Sequence, residues 1–170
     1  MARTLAELNA SDRATFEEAL GRVFEHSSWV AGGTFDRRPF TDAAHLHREL
    51  CATLRAAPRE RQLALIRAHP DLAGRLAQAG GLTPESTREQ ASAGLDRLAS
   101  KEMAELQRLN GDYRKTFGFP FVICARLNAK DSILAALRAR LRHTPEEEHE
   151  AALAEIEKIA WLRLSDQLKP

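Results

Sequence analysis

The chain is predicted to be all-α, a single-domain bundle of about seven to nine helices spanning 1–170, with one buried extended Phe-Gly-Phe-Pro segment. Three observations predict it. Apolar residues recur at spacings of three and four along nearly the whole chain, as in Phe16, Leu20, Val23 and Phe24, in Leu46, Leu50 and Leu54, and in Leu106, Leu109 and Tyr113. Helix-start signals stand in front of these runs. Only one stretch, Phe117-Gly118-Phe119-Pro120-Phe121-Val122-Ile123-Cys124, breaks the period with a run of large apolar residues.

Taken in order, Ser11 precedes the first long helix, Thr41 the second, Pro58 opens the third and Thr83-Pro84 the fourth. Thr144-Pro145-Glu146-Glu147 reads as a capping box on the last. Gly32-Gly33, Gly80-Gly81 and Gly118 read as stops. In the exceptional stretch Gly118 and Pro120 argue against a strand, and a single strand would have no partner, so a buried connection entering a helix near Phe121 is expected. Such a connection leaves main-chain N–H and C=O groups that no helix ladder has used.

Composition narrows the function. Lys+Arg 25 against Asp+Glu 24 gives a net charge of +1, which provides no general surface for nucleic acid or an acidic membrane. No window approaches the ~20 apolar residues of a membrane span, and Met1 to Asp12 lacks the apolar stretch of a signal peptide. The closing Gln167-Leu168-Lys169-Pro170 is not a Ser-Lys-Leu address, so a cytoplasmic protein is expected. Cys51 and Cys124 have no metal-ligand spacing and read as buried thiols in a reducing compartment.

Three places could carry chemistry. His69 precedes Pro70, which disfavours helical geometry for the residue before it, so the imidazole stands at a helix-to-turn corner where it can serve as proton donor or acceptor. It could equally cap the last carbonyls of that helix. Ser86, Glu89, Gln90, Ala93 and Gly94 share one helix face, polar groups followed by small ones, which suits a small polar ligand. Ser86-x-x-Glu89 could instead be a capping box, with Thr83 competing for the cap. Arg163 falls inside the apolar arc of Leu153, Ile156, Ala160 and Leu164. A guanidinium there needs an internal carboxylate or an anionic ligand, unless its stem reaches out to water, and the functional reading favours the ligand. His45 and His47 point to different faces, while His143 and His149 flank a Glu run that reads as solvated, so no metal site is expected. No phosphate loop, GxSxG elbow or HExxH is present. Metal-free acid/base chemistry is the simplest enzyme reading.

Ala68-His-Pro-Asp-Leu-Ala-Gly74, Ser86-x-x-Glu89-Gln90-Ala-Ser-Ala-Gly-Leu95, Phe117-Gly-Phe-Pro-Phe-Val-Ile-Cys-Ala-Arg126 and Glu155-Ile156-x-Lys158-Ile159-Ala160-x-x-Arg163-Leu164 together resemble the OHCU decarboxylase family. OHCU is 2-oxo-4-hydroxy-4-carboxy-5-ureidoimidazoline. The resemblance runs in order from about Phe24 to Leu168, with Ser27-Ser28-Trp29 where many members have Ser-Pro-Trp. It implies an all-α homodimer without metal or organic cofactor, a carboxy-lyase of uric acid degradation that produces (S)-allantoin from a small-molecule substrate. By the same resemblance His69 and Glu89 are catalytic, and Pro70, Ser86, Gln90, Phe119, Val122, Ile123 and Arg163 hold the substrate. Two rivals remain at this point: a non-catalytic helical interaction module, and a metal-dependent helical hydrolase using His69, Asp71 and Glu89.

Overall fold

The computed structural model describes residues 3–169, Arg75 and Leu76 by main chain only; Met1, Ala2 and Pro170, in the terminal segments read for targeting signals, lie outside it. Among the described residues the protein is all-α: α1 (Leu5–Ala10), α2 (Arg13–Leu20), α3 (Trp29–Thr34), α4 (Ala43–Ala56), α5 (Arg59–Ala68), α6 (Arg75–Gln78), α7 (Pro84–Ser92), α8 (Ser100–Phe117), α9 (Lys130–Arg140) and α10 (Pro145–Gln167). Nine are longer than one turn and α6 is a single turn; 3-10 turns cover Phe35–Arg37 and Ala125–Leu127. No helix is long and apolar enough to cross a membrane, among the described residues.

The chain divides into two compact units, Met1–Ala68 with Glu157–Pro170, and His69–Ile156. The first is organised around Phe16, Leu20, Val30, Leu46, Leu50, Leu54 and Leu164, all but inaccessible to water. The second has Leu106, Tyr113, Phe121, Ile133, Leu137, Leu153 and Ile156 at its centre.

Starts and stops follow local chemistry, with corrections. Thr83 caps α7, its hydroxyl accepting from Ser86 N at 3.2 Å with Pro84 in the first turn. Thr144 and Glu147 form the reciprocal capping box of α10, at 2.7 and 3.3 Å. The caps expected at Ser11 and Thr41 lie one residue later, at Asp12 and Asp42, whose carboxylates accept from Thr15 N and His45 N. A carboxylate makes the same bond as a hydroxyl and also opposes the helix dipole. The short α1, capped by Thr4 and Glu7, was not expected.

Gly118 ends α8 at φ 77, a left-handed position that glycine occupies without strain. Gly32 and Gly33 do not stop a helix; they lie inside α3. A Cβ on Gly32 would stand 2.9 Å from Glu17 Oε1, and one on Gly33 would stand 2.8 Å from Thr53 Cγ2. The Glu17 tip belongs to a flexible, part-exposed side chain that could move aside, whereas Thr53 is fixed on α4, so Gly33 marks a close approach of α3 to α4. Both thiols are free, Cys124 buried and Cys51 half-buried. Burial, and then the Glu157 carboxylate, push the Cys51 thiol up to about 12.

Candidate active site

In the second unit the turn after α5 carries His69, buried at 7 % exposure, then Pro70 and a left-handed Ala73 at φ 48. A non-glycine residue holds that conformation only when something secures it. Here the side chain of Gln90 does so, its Oε1 accepting from Ala73 N at 2.8 Å. That bond ties the His69 turn to α7, the helix bearing Ser86, Glu89 and Gln90. Ser86 and Gln90 are buried and Glu89 is half-buried. Because Thr83 takes the N-cap, Ser86 and Glu89 are not a capping box. The carbonyl oxygen of Gln90 is thus committed to the fold. Its amide nitrogen makes no hydrogen bond among the described residues.

α7 packs against the 3-10 turn Ala125–Leu127, and Lys130 N donates to Ala93 O at 3.1 Å. Immediately before that turn lies the Phe119–Cys124 segment, neither helix nor strand and almost wholly buried. Helical geometry begins at Ala125, not near Phe121 as expected. Two clamps explain the delay. Arg140 Nη1 donates to Val122 O at 2.7 Å, and Cys124 N donates to the Glu155 carboxylate at 2.8 Å. Between them the N–H and C=O of Ile123 make no hydrogen bond among the described residues, although the residue is 7 % exposed. Buried main-chain groups without partners are uncommon and mark a place where a polar ligand can bind.

Arg140 belongs to a cluster that the sequence reading missed. Its guanidinium holds the wholly buried carboxylate of Glu148 through Nε at 3.0 and 3.1 Å and Nη2 at 2.8 Å. Tyr113 donates a short hydrogen bond to Glu148, and His143 Nδ1 lies 2.8 Å from its other oxygen. Burial, reinforced by the Glu148 carboxylate, pushes the Tyr113 phenol well above its ordinary range, so it stays a proton donor. The Glu run read as solvated is therefore split, with Glu146 and Glu147 exposed and Glu148 in the core. The signal was available, because Glu148, Ala152, Ile156 and Ala160 step by four along one face of α10.

Arg163, in the first unit, is buried at 3 % exposure, as its place in the apolar arc requires. The carboxylate that such burial calls for is Glu25, equally buried, which accepts from Nη1 at 2.7 Å. The expectation that a ligand alone answers this charge is corrected accordingly. Asp71, a ligand in the metal-enzyme rival, pairs with Arg114 at 3.0 Å. Among the described residues no group of three or more His, Cys, Asp or Glu converges.

Comparison with known proteins agrees with these motifs. A family model described as OHCU decarboxylase matches residues 9–165. The chain is 41 % identical over 164 residues to the 2-oxo-4-hydroxy-4-carboxy-5-ureidoimidazoline decarboxylase of Mus musculus, covering 96 % of this chain and 92 % of the relative. It is 40 % identical over 167 residues to that of Halalkalicoccus jeotgali, covering 98 % and 93 %. Among solved structures, an (S)-allantoin synthase superimposes with TM-score 0.77 at 30 % identity over 98 % of this chain, which spans 54 % of that longer one. An OHCU decarboxylase crystallised in the presence of (S)-allantoin gives TM-score 0.70 at 25 % identity, over 92 % and 97 % of the two chains. With its motifs in register and near full-length coverage of relatives on both sides, the chain belongs to the OHCU decarboxylase family.

Proposed function

We propose that this chain converts OHCU to (S)-allantoin with His69 and Glu89 as its proton-transfer pair. The overall reaction, decarboxylation of OHCU to allantoin in uric acid degradation, is that of the family. The substrate carries its carboxylate and a hydroxyl on one ring carbon, next to a ring C=N. When the C–CO₂ bond breaks, its electron pair moves into that C=N, so the ring is its own electron sink. The ring nitrogen that receives the displaced C=N pair takes up a proton; the hydroxyl then loses its proton and becomes the carbonyl, while the carbon bearing the ureido group gains a proton on one face, so that one proton is consumed for each CO₂ released. His69 contacts the hydroxyl. Glu89 orients His69 or relays the proton that sets the chirality.

The observation that carries this assignment is the Gln90–Ala73 bond, which anchors the His69 turn directly to the helix of Ser86 and Glu89. Ser86, the Gln90 amide nitrogen and the Ile123 main chain offer donors and an acceptor for the ureido and ring amides, while Pro70, Phe119 and Val122 supply apolar walls. For Arg163, whose proposed part is to hold an anionic or carbonyl oxygen, support comes from the family resemblance and its burial. The homodimer rests on the resemblance alone; sedimentation equilibrium checks it.

His69→Ala is expected to remove activity while the helical circular dichroism is retained, because the imidazole lies in a turn outside the helices; since it is buried, a lowered Tm is expected beside the loss of activity. Glu89→Gln keeps shape and hydrogen-bonding reach but deletes the base, and is expected to lower kcat by about 10² or more. A loss below about tenfold in Glu89→Gln would leave Glu89 outside the proton transfer.

A further inference from the structure

The Phe119–Cys124 segment poses a physical problem that the proton-transfer pair does not address. An irregular stretch of main chain has no ladder to fix it, yet a hydrogen-bonding ligand site loses its value if its donors wander by even about an ångström. What fixes it is on the page. Arg140 grips the segment twice, through the 2.7 Å bond to Val122 O and by stacking its guanidinium 4.5 Å from the centre of the Phe121 ring. Phe121 also meets Tyr113 in a T-shaped contact, ring centres 5.4 Å apart. Arg140 is itself immobilised by Glu148, whose two oxygens are also held by Tyr113 and His143. Side chains from α8, α9 and the turn after α9 thus converge on the Glu148 carboxylate of α10, and through Arg140 this cluster reaches the Val122 carbonyl, next to Ile123, whose main chain makes no hydrogen bond among the described residues.

We infer that Arg140 is a positioning residue for the decarboxylation: by holding the Val122 carbonyl it fixes the peptide plane that carries the Ile123 N–H and so aims that N–H at the substrate, while Glu155, through Cys124 N, sets the plane of the Ile123 C=O. Glu148 keeps the Arg140 guanidinium in the plane that reaches both partners. This rests on the reading of Ile123 as a substrate contact.

The test compares wild type with Arg140→Met, which keeps the stem, and Arg140→Lys. A lysine retains the charge beside Glu148 but is a point donor that cannot span Glu148 and Val122 O in one plane. With OHCU generated in situ, both variants are expected to raise KM about ten-fold, the order of one or two weakened hydrogen bonds, with kcat within about three-fold of wild type. In wild type the Ile123 amide resonance is expected to shift on addition of (S)-allantoin, and in the variants to shift less at equal occupancy. If Arg140→Met does not fold, Arg140→Lys decides alone. A lowered Tm with KM within two-fold of wild type and an undiminished Ile123 shift would overturn the positioning role while leaving Ile123 as a contact. No Ile123 shift in wild type would remove that contact itself, and the inference with it.

Discussion

At the scale of single residues, the Arg163–Glu25 pair determines what a mutation there reports. Both side chains are buried, at 3 % and 2 % exposure, so removing one deprives the other's buried charge of its 2.7 Å partner. Arg163→Met is therefore expected to lower stability by about 3 to 5 kcal/mol, whatever it does to activity. Adding Glu25→Gln neutralises the buried carboxylate that lost this partner and is expected to recover part of that loss in a thermal melt. If Arg163 also holds substrate, the double variant stays inactive although folded; normal kcat/KM in that stable double variant would confine Arg163 to the fold. Periodicity was enough to bury Arg163, because a helical wheel reports which face turns inward. It could not name Glu25, because a pairing across 138 residues depends on tertiary packing that no local pattern encodes. The Arg140–Glu148 pair was missed for another reason: the adjacent Glu146 and Glu147 made Glu148 look like one more solvated charge, although its step of four to Ala152 and Ile156 marked an inward face.

At the scale of elements, two glycines read as punctuation lie inside a helix, and one of them, Gly33, is a packing residue. The expectation of a break at Gly32-Gly33 used the ordinary helix penalty of glycine, about 1 kcal/mol against alanine. α3 continues through both because Thr53, whose hydroxyl is bonded to Thr34 at 2.7 Å, occupies the space a Cβ on Gly33 would need. Gly33→Ala weighs these effects against each other: better helix propensity against overpacking of about 1 to 3 kcal/mol. Overpacking is expected to win and Tm to fall; a raised Tm would return Gly33 to the role of a tolerated weak point. Helices themselves were legible because each carries its own period and cap. The irregular segment before Ala125 was legible only as an exception, since the clamps that keep it extended, Arg140 and Glu155, come from distant helices.

At the scale of the whole molecule, acid stability follows from the helix starts. Backbone N–H donors hold the carboxylates of Glu7, Asp12, Asp42 and Glu147 below their ordinary values, and the Lys130 ammonium does so for Glu102. A carboxylate lowered in the folded state adds stability that is fully present above its unfolded pKa and is lost as pH falls through the folded one. These carboxylates are thus expected to contribute a constant amount to Tm above the ordinary values of 4.5 for Glu and 3.8 for Asp, and to make Tm fall as pH drops below them. Asp42→Asn, which keeps a capping oxygen without the titration, should make that acid limb shallower in a melt series; an unchanged limb would show that this cap does not titrate with folding.

The whole chain's activity has one direct readout. OHCU generated in situ decays without an enzyme to racemic allantoin, so the sense of rotation separates catalysis from spontaneous chemistry. Circular dichroism of the product is expected to show an excess of the S enantiomer with wild type, falling to the racemate with His69→Ala. Racemic allantoin at the spontaneous rate with folded wild-type protein would contradict the account.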